Sequence, residues 1–426
     1  MIEIQRIRTQ TEFVTERLVA KGIANADELV QKVIALDEER RKILVEVESL
    51  RAESNKNAKM VGQLMAAKKI EEAELAKHNS ANQKEQIKVL EAKLEEVLAE
   101  SHKVMVSLPN VADASVPVGK TPEDNAIVFQ NEKQVSFDFT PLPHWELAVK
   151  HDIIDWELGV KITGAGFPVY KGKGAILQRA LIQFFLNKAN AEGYTEIQPP
   201  IFINADSGFG TGQLPDKDGQ MYYINEDEFY LIPTAEVPIT NLYRDVLLNE
   251  TDLPIKNCGY TPCFRREAGS YGAHVRGLNR LHQFDKVEIV QIVKPENSYE
   301  TLEVMTNYVM SLLDALELPY RKLLLCTGDM SFASAKTYDM EVYSAAQERW
   351  LEVSSVSNFE SFQATRLKSR YRSTDKKQTT LTHTLNGSAL ALPRIVASLL
   401  ENNQQADGSI LIPKVLQPYT GFERIG

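Results

Sequence analysis

The sequence of 426 residues predicts an α+β protein in which a long N-terminal helical hairpin precedes a domain built on an antiparallel sheet. Two observations lead to this prediction. Residues 27–104 contain no proline and a single glycine, and their apolar side chains recur at spacings of three and four. After residue 140, strand-like and helix-like segments mix without the regular alternation that a parallel sheet requires.

The hairpin is indicated by two heptad-like apolar seams with a break between them, a pattern typical of an antiparallel coiled coil. A capping box of Asn25 and Glu28 is expected to begin the first helix. Each helix would have roughly 30 residues and a length of roughly 50 Å. The seams comprise Val33, Leu36, Ile43, Val47, Leu50, Val61 and Leu64, and then Ile87, Leu90, Leu94, Val97 and Val104. Polar residues interrupt them at Arg40, Ser54, Asn57 and Ser101.

A segment rich in proline, glycine and asparagine follows the hairpin, from Ser107 to Asp138, and its composition is typical of a connection. We therefore expect an N-terminal helical arm over residues 1–110, a linker over 111–140 and a larger, catalytic domain over 141–426. Within that domain the residue pattern predicts helices at 176–185 and 296–316. It predicts strands at 229–232, 284–293 and 350–353.

Composition and charge exclude several classes of protein. The N-terminus lacks the apolar core of a signal peptide, and no apolar run approaches the roughly 20 residues of a membrane span, so we expect a cytoplasmic protein without membrane contact. Three cysteines, Cys258, Cys263 and Cys326, occur without C-x-x-C spacing, so no zinc site is expected. A net charge of −10 argues against broad nucleic-acid binding.

A local basic cluster nevertheless lies near the expected tip of the hairpin. Between Arg51 and Ile70 there are five basic residues and one acid. Such a tip suits contact with RNA phosphates, although a solvated helix face and a dimerisation coil are the alternatives. The candidate RNA contacts are Lys56, Lys59, Lys68 and Lys69.

The familiar phosphate-binding motifs G-x-x-x-x-G-K-[ST] and strand-coupled G-x-G-x-x-G do not occur. Three other segments point to a different way of binding nucleotides. They are Gly193–Pro200, then Phe264–Gly269 followed by His282–Glu288, and Leu385–Arg394, which is expected to open a helix. These segments resemble motifs 1, 2 and 3 of the class II aminoacyl-tRNA synthetases.

Two more segments narrow the resemblance to the seryl-tRNA synthetase family: Pro233–Glu236 and Glu352–Asn358. The resemblance covers essentially the whole chain, including the arm. It implies a class II antiparallel sheet with flanking helices, a homodimer formed partly by motif 1, and ATP with Mg²⁺ as the chemistry-bearing ligands. It further implies ligation of L-serine to tRNA(Ser) through a seryl-adenylate, and serylation of tRNA(Sec) where that tRNA exists.

The resemblance also implies roles for individual residues. Arg265 and Arg394 would be the catalytic arginines, because a fixed guanidinium can bind both a carboxylate and a phosphate. The expected serine-binding residues are Thr234, Ala235, Glu236, Glu288 and Ser388. The expected ATP-binding residues are Arg265, Arg266, Glu267, Phe284, Glu352, Val353, Ser354, Ser355 and Arg394. Glu352 and Ser355 would help to hold Mg²⁺, which prefers oxygen ligands.

Simpler interpretations remain open at this point. Arg266 can be a solvated surface residue, and Glu288 can face solvent because it alternates with apolar neighbours on a strand. Phe284 can be ordinary core packing, and Ser388 can be a helix N-cap. Two other functions also remain: a related ligase for another small amino acid or a carrier protein, and an inactive paralogue that binds RNA.

Overall fold

The computed structural model describes residues 1–216, 218–267, 276–374 and 378–426. The chain divides into two compact units, Met1–Pro109 and Asn110–Gly426. Ala268 and Gly269, which end the second motif-like segment in the sequence, lie outside the described residues.

The first unit is helical, as the sequence predicts. Its helices are α1 (Ile4–Thr9), α2 (Thr11–Ala20), α3 (Ala26–Ala66) and α4 (Ile70–Ser107). Helix α3 has 41 residues, so it is about 60 Å long and somewhat longer than expected. The hairpin turns at Ala67–Lys69, where Lys68 has a φ of 60°. The expected capping box is wrong, because the Asn25 side chain makes no capping hydrogen bond within the described part of the chain.

The coiled-coil seam is confirmed where apolar residues of the two long helices meet. Ile43, Val47 and Val97 are buried together, with Leu36, Ile87, Leu90 and Leu94 packed against them. The polar interruptions have structural causes. The Ser54 and Ser80 hydroxyls lie 3.1 Å apart in a buried pair, and Asn57 Nδ2 donates to Gln83 Oε1 over 3.0 Å. The distal part of the hairpin is therefore joined partly by hydrogen bonds between side chains.

A buried carboxylate explains the arginine in the seam. Asp37 is 1% exposed, and its carboxylate accepts hydrogen bonds from Arg40 Nη2 at 2.8 Å and Arg41 Nε at 3.0 Å. Arg8, from α1, lies 3.5 Å from the same carboxylate. Burial alone would raise the pKa of Asp37, but the three arginines together hold it below its usual value. Asp37 therefore joins α1 to the long helix.

The second unit is an α+β domain, as predicted. Its helices are α5 (His144–Lys150), α6 (Trp156–Ile162), α7 (Gly172–Ala191), α8 (Ala205–Thr211), α9 (Glu236–Asn241), α10 (Ser298–Ala315), α11 (Phe362–Leu367), α12 (Leu392–Asn402) and α13 (Gln417–Thr420). Its main sheet consists of β1 (Ala126–Gln130), β4 (Thr195–Glu196), β9 (Ile255–Phe264), β10 (Gln283–Val293), β11 (Tyr320–Leu324), β12 (Lys336–Ser344), β13 (Arg349–Asn358) and β16 (His383–Ala391). Its shorter strands are β2 (Ile154–Asp155), β3 (Val169–Tyr170), β5 (Phe202–Ile203), β6 (Tyr223–Ile224), β7 (Phe229–Leu231), β8 (Leu247–Asn249), β14 (Arg370–Arg372), β15 (Thr379–Leu381), β17 (Ile410–Leu411) and β18 (Arg424–Ile425).

The main sheet sets the position of the site. Its strand order is β1-β11-β12-β13-β16-β10-β9-β4, and each neighbouring pair is antiparallel except β4 and β9. Strand β10 pairs with β9 on one side and β16 on the other, with a register shift against β16 between Lys286 and Glu288. The strands that carry the second and third motif-like segments and Glu352–Asn358 are therefore neighbours at the centre of the sheet.

Three local expectations differ from the structure. The segment expected as a linker contributes β1, whose Ala126 pairs with Leu324 at the edge of the main sheet. Upstream of β1, Asn110 Nδ2 donates to the carbonyls of Ala333 and Phe359. The start of the segment expected as a linker is therefore fixed by hydrogen bonds to the second unit's own backbone. The pattern of the Gly193–Pro200 segment predicts a strand that ends in proline. The segment forms a strand of only two residues, β4, and the Ile197 N–H makes one further hydrogen bond to Cys258 O of β9 at 2.7 Å.

Among the residues that the structure describes, no helix is both long enough and apolar enough to cross a membrane.

We predict that Asp37→Asn lowers the free energy of unfolding of the arm by about 2 kcal/mol, because the charge-assisted hydrogen bonds from Arg40 and Arg41 and the ion pair with Arg8 are weakened. The folded pKa of Asp37 lies below the unfolded value of about 4. The stabilisation is therefore complete above pH 4 and declines as the pH falls through the folded pKa. Hydrogen exchange of α3 amides at pH 7 and at lower pH measures this.

The matched control is Glu38→Gln, which changes an exposed carboxylate one residue along the same helix. Equal protection of α3 amides in Asp37→Asn, Glu38→Gln and the unaltered chain would contradict the account of Asp37.

Candidate active site

A cavity of about 230 Å³ opens beside the centre of the main sheet. Its wall combines side chains from β10, β13 and β16, the start of α12 and the segment before β10. The sequence-predicted residues that line it are Arg265, Glu267, Phe284, Glu352, Val353, Ser354, Ser388 and Arg394. Segments far apart in the sequence thus meet in one place, as their resemblance to class II motifs predicts.

A buried polar cluster adjoins this cavity on β10. The Lys286 ammonium lies 2.6 Å from Glu288 Oε2, and both side chains are at most 7% exposed. Lys286 also donates to the Thr234 hydroxyl at 2.8 Å, and that hydroxyl donates to Glu288 Oε2 at 3.3 Å. Because Glu288 is 1% exposed, it does not lie on a solvent face of the strand.

Ser388 stands directly opposite Glu288 in the β10–β16 register and is 8% exposed. It lies inside β16, four positions before the helix, so it is not a helix N-cap. Its carbonyl accepts a 2.6 Å hydrogen bond from Ser354 Oγ, which ties β13 to β16 at the cavity wall.

Glu236 lies next to this cluster at the start of α9, 6% exposed. Its Oε1 accepts a 2.6 Å hydrogen bond from Gln363 Nε2, and its backbone N–H donates to Thr234 Oγ1 at 3.3 Å. Burial and the nearby charge of Glu288 raise the pKa of Glu236 to about 7. A cation bound between these carboxylates would favour their ionised forms.

Arg265 follows the last residue of β9 and is exposed toward the cavity. Its guanidinium carbon lies 5.3 Å from the centre of the Phe284 ring, and its Nε donates weakly to Pro233 O at 3.4 Å. The backbone is fixed by hydrogen bonding of Arg265 N to His282 O at 2.9 Å. The planar Phe284 face and the Arg265 guanidinium therefore border the same space.

Glu267 and Arg266 follow on the same segment with different environments. Glu267 pairs with Arg280 Nε in the cavity wall and has a φ of 48°. Arg266 is exposed and does not line the cavity, although its backbone N–H donates to Gln220 O at 2.8 Å. The sequence leaves Arg266 open as a surface residue, and its exposure favours that interpretation.

Arg394 lies in the first turn of α12 and also lines the cavity. Its Nη1 donates to Glu352 O at 2.6 Å and lies 3.6 Å from the Glu352 carboxylate. Its Nε donates to Asn279 O at 3.1 Å. These contacts fix the guanidinium without using all of its five N–H donors, so the remainder can bind an anion.

Glu352 and Ser355, the expected Mg²⁺ ligands, both lie on β13. Glu352 lines the cavity, whereas the Ser355 hydroxyl donates to Asp339 on β12. Burial and the charge of Glu352 raise the pKa of Asp339 well above its usual range, so these carboxylates are close enough to repel each other. Among the described residues no cluster of three or more His, Cys, Asp or Glu side chains is arranged for a metal.

This donor set fits Mg²⁺ bound mainly by a nucleotide, because Mg²⁺ commonly takes one or two carboxylates together with phosphate oxygens and water. The closely placed carboxylates would also be relieved of repulsion by a cation.

Three important residues escaped the sequence analysis: Lys286, Asp339 and Gln363. For Lys286 a signal existed, because Phe284, Lys286 and Glu288 alternate along one face of a predicted strand. Gln363 and Asp339 act through neighbours brought together only by the fold. Ala235 and Val353, which the sequence also predicts as site residues, are buried at 0% and 1% exposure. They can act on a ligand only through their backbone atoms or by supporting their neighbours.

The lysines expected to contact RNA are all exposed on the hairpin: Lys56, Lys59, Lys68 and Lys69. Lys69 lies 2.8 Å from Glu72, and α4 begins with Glu71 and Glu72. The basic character therefore belongs to α3 and the turn rather than to the whole tip.

The cavity thus combines two arginines able to bind oxyanions with an adjoining buried pocket of carboxylates and hydroxyls. The first set suits phosphate and carboxylate groups. The second suits an ammonium group and a hydroxyl. Such a site can hold two anionic reactants next to each other and stabilise the charge of their reaction.

Comparison with known proteins agrees with this geometry. Residues 1–112 match the family model of the seryl-tRNA synthetase N-terminal domain, and residues 222–403 match that of the tRNA synthetase class II core domain (G, H, P, S and T). A serine–tRNA ligase from Salinibacter ruber is 53% identical over 426 residues, which covers 100% of this chain and 99% of that protein.

Solved structures show the same similarity. The crystal structure of seryl-tRNA synthetase from Pyrococcus horikoshii complexed with ATP has a TM-score of 0.94 at 33% identity, covering 100% of this chain and 99% of that one. A cytoplasmic serine–tRNA ligase from Naegleria fowleri in complex with AMP has a TM-score of 0.88 at 26% identity, covering 100% and 98%. These matches over the full length show that the chain belongs to the seryl-tRNA synthetase family of class II aminoacyl-tRNA synthetases.

Proposed function

We propose that this chain activates L-serine with ATP to form seryl-adenylate and pyrophosphate, and then transfers the seryl group to the terminal ribose of tRNA(Ser). The observation that carries the proposal is the junction of two environments. The oxyanion-binding side chains Arg265 and Arg394 line a cavity that adjoins the buried Lys286–Glu288–Thr234 cluster.

In the first step a carboxylate oxygen of serine attacks the α-phosphorus of ATP, and pyrophosphate leaves. Both reactants are anions, so bringing them together requires fixed positive charge. Arg265 would bind the serine carboxylate and the α-phosphate, and Arg394 would bind the distal phosphates. Phe284 would stack on the adenine, with Glu267 near its amino group. The carboxylate is already ionised, so no general base is needed.

Mg²⁺, when bound, would supply further neutralisation of phosphate charge, with Glu352 and Ser355 as its proposed protein ligands. The neighbouring Val353 and Ser354 would contact the ATP. The Ser355 hydroxyl donates its proton to Asp339, which leaves the lone pairs of its oxygen able to bind a cation. We propose no zinc in the reaction.

Selection of serine would depend on the polar cluster. Glu288 would accept the substrate hydroxyl, with Ser388 opposite it, while Thr234 and Glu236 would lie near the ammonium group. Alanine and glycine lack the hydroxyl, so their binding would leave buried polar groups without a partner.

We further propose that the arm binds the tRNA and that the protein acts as a cytoplasmic homodimer. The exposed Lys56, Lys59, Lys68 and Lys69 support phosphate contacts by the arm. Strand β4 of the Gly193–Pro200 segment is the last strand in the sheet order, which leaves its outer edge for a second copy. The three cysteines form no disulfide, as expected in a reducing compartment. Where tRNA(Sec) exists, it would be a second RNA substrate.

The direct test uses purified full-length protein in two assays. Serine-dependent exchange of pyrophosphate into ATP and serine charging of tRNA(Ser) should both occur. Exchange that depends on another amino acid would favour the related-ligase alternative, and RNA binding without exchange would favour an inactive RNA-binding protein.

We predict that Arg265→Lys lowers the rate of serine-dependent exchange by at least about 100-fold, or about 3 kcal/mol, because lysine keeps the charge but loses the bidentate fork. Arg321→Lys is the matched control, since Arg321 pairs with Glu341 outside the cavity. Near-normal exchange by Arg265→Lys would remove this residue from the mechanism.

We predict that Glu288→Gln raises KM for serine at least about tenfold more than KM for ATP, because a charged acceptor of the serine hydroxyl is replaced by a neutral amide. Glu303→Gln provides the control, because Glu303 accepts a hydrogen bond from Tyr338 away from the cavity. Parallel increases for both substrates would mean that Glu288 only supports the strand.

We predict that shortening the arm separates the two reactions. Replacing residues 55–81 by a short glycine-containing turn removes all four lysines but keeps the Ile43–Val47–Val97 core. Exchange should stay within about twofold, whereas charging should fall at least about tenfold because phosphate contacts supply much of RNA affinity.

A full-length variant with Lys56, Lys59, Lys68 and Lys69 neutralised should show a smaller loss and a shallower salt dependence. Neutralising four exposed lysines of the second unit, Lys133, Lys161, Lys188 and Lys368, controls for net charge. Full charging activity by the shortened protein would show that the arm is a coil or spacer.

A further inference from the structure

A buried histidine lies behind the cavity wall, outside every motif-like segment of the sequence. His144, at the start of α5, is 0% exposed. Its Nε2 accepts a 2.8 Å hydrogen bond from the backbone N–H of Leu278. Its Nδ1 lies 2.7 Å from Glu401 Oε1. Because a backbone N–H can only donate, Nε2 is the acceptor, and the imidazole proton that faces Glu401 is on Nδ1.

The carboxylate that receives this proton connects two further elements. Glu401, on α12, is 0% exposed. Burial would raise the pKa of Glu401, but its hydrogen bonds to His144 and Ser344 hold it below its usual value. Glu401 Oε1 also accepts from Gln347 Nε2 at 2.9 Å. The buried Glu401 carboxylate therefore accepts hydrogen bonds both from α5 and from the turn between β12 and β13.

Gln347 continues the connection to the cavity. Its Oε1 accepts from Asn279 Nδ2 at 2.9 Å. The Asn279 carbonyl in turn accepts from Arg394 Nε at 3.1 Å. Leu278 and Asn279 both line the cavity, so His144 fixes this wall in two ways: directly at Leu278 and through Glu401 and Gln347 at Asn279.

The packing around the imidazole leaves little freedom for this wall. Gly277 has a φ of 69°, and a Cβ placed on it would lie 2.2 Å from His144 Nε2. The backbone at Gly277–Leu278 therefore rests against the imidazole ring, in a conformation that glycine favours.

We propose that His144 is a positioning residue for ATP binding, acting through Leu278 and Asn279 to orient the Arg394 guanidinium toward the nucleotide. This inference rests on the proposed function. His144 touches no substrate. It holds the Asn279 carbonyl, which accepts a hydrogen bond from Arg394 and so orients its guanidinium. Because Arg394 would bind phosphate, a misplaced guanidinium should weaken the binding of ATP more than that of serine.

Two substitutions separate the bonds that His144 makes. His144→Asn retains a donor for Glu401 but is too short to reach the Leu278 N–H. His144→Gln is long enough to place its carbonyl oxygen near the position of Nε2 and so retains the Leu278 bond. The readouts are KM for ATP and KM for serine in pyrophosphate exchange, together with the melting temperature.

The expected result is a split between the two substrates. KM for ATP should rise about tenfold in His144→Asn, the size expected for one lost buried hydrogen bond, with KM for serine within about twofold. His144→Gln should return KM for ATP to within about threefold of the unaltered protein. The matched control is His383→Asn, a change at a histidine whose Nδ1 lies 2.8 Å from Ser298 Oγ away from the cavity, and it should change neither KM.

Other outcomes overturn the proposal. Equal KM changes for both substrates, or a lower melting temperature with unchanged KM values, would make His144 a purely structural residue. If His144→Asn does not fold, Gln347→Leu tests the same connection, because it removes the Asn279 bond; an unchanged KM for ATP then contradicts the proposal. Absence of serine-dependent exchange in the unaltered protein would instead refute the proposed function.

Discussion

The buried ion pair between Lys286 and Glu288 is the interaction on which the site depends. Both charges are removed from water, and such a pair is tolerated only when hydrogen bonds satisfy its remaining donors and acceptors. Here Thr234 supplies one of these by bridging the two side chains. The pair sits where β10 shifts register against β16, and irregularities of this kind re-aim side chains next to functional sites. The centre of the sheet thus presents fixed charge to a cavity rather than a continuous apolar face.

Around this pair, the charges are arranged by position in the fold. Carboxylates that repel each other, such as Glu236 and Glu288, lie on the side proposed for the serine ammonium group, and burial raises the pKa of Glu236 to about 7. Arginines lie on the side proposed for the phosphates, where Arg394 is restrained by Asn279 and Glu352. The serine ammonium group would neutralise the carboxylates, and the phosphates would neutralise the arginines. The same charges would therefore both bind the substrates and orient them.

Much of this could be predicted from sequence, and the exceptions share a cause. Periodicity identified the arm and the strand at 284–293, and local motifs identified eight of the residues that line the cavity. Periodicity could not explain Arg40 in the seam, because its partner Asp37 becomes buried only when α1 packs there. Composition suggested a linker where Ala126–Gln130 joins the sheet, since edge pairing depends on a strand nearly 200 residues away. Gln363 and His144 act through contacts between distant segments, which no local pattern contains.

The central claim is that a buried, charged cluster selects a hydroxyl-bearing amino acid for activation by ATP. The most direct measurement is the ratio of kcat/KM for serine to that for alanine in pyrophosphate exchange, on the same preparation of the full-length protein. A site built to hydrogen-bond a hydroxyl should reject the analogue that lacks it by about 10⁴ or more. A ratio below about 10 would contradict the account, because it would mean that the Lys286–Glu288–Thr234 cluster does not contact the substrate side chain.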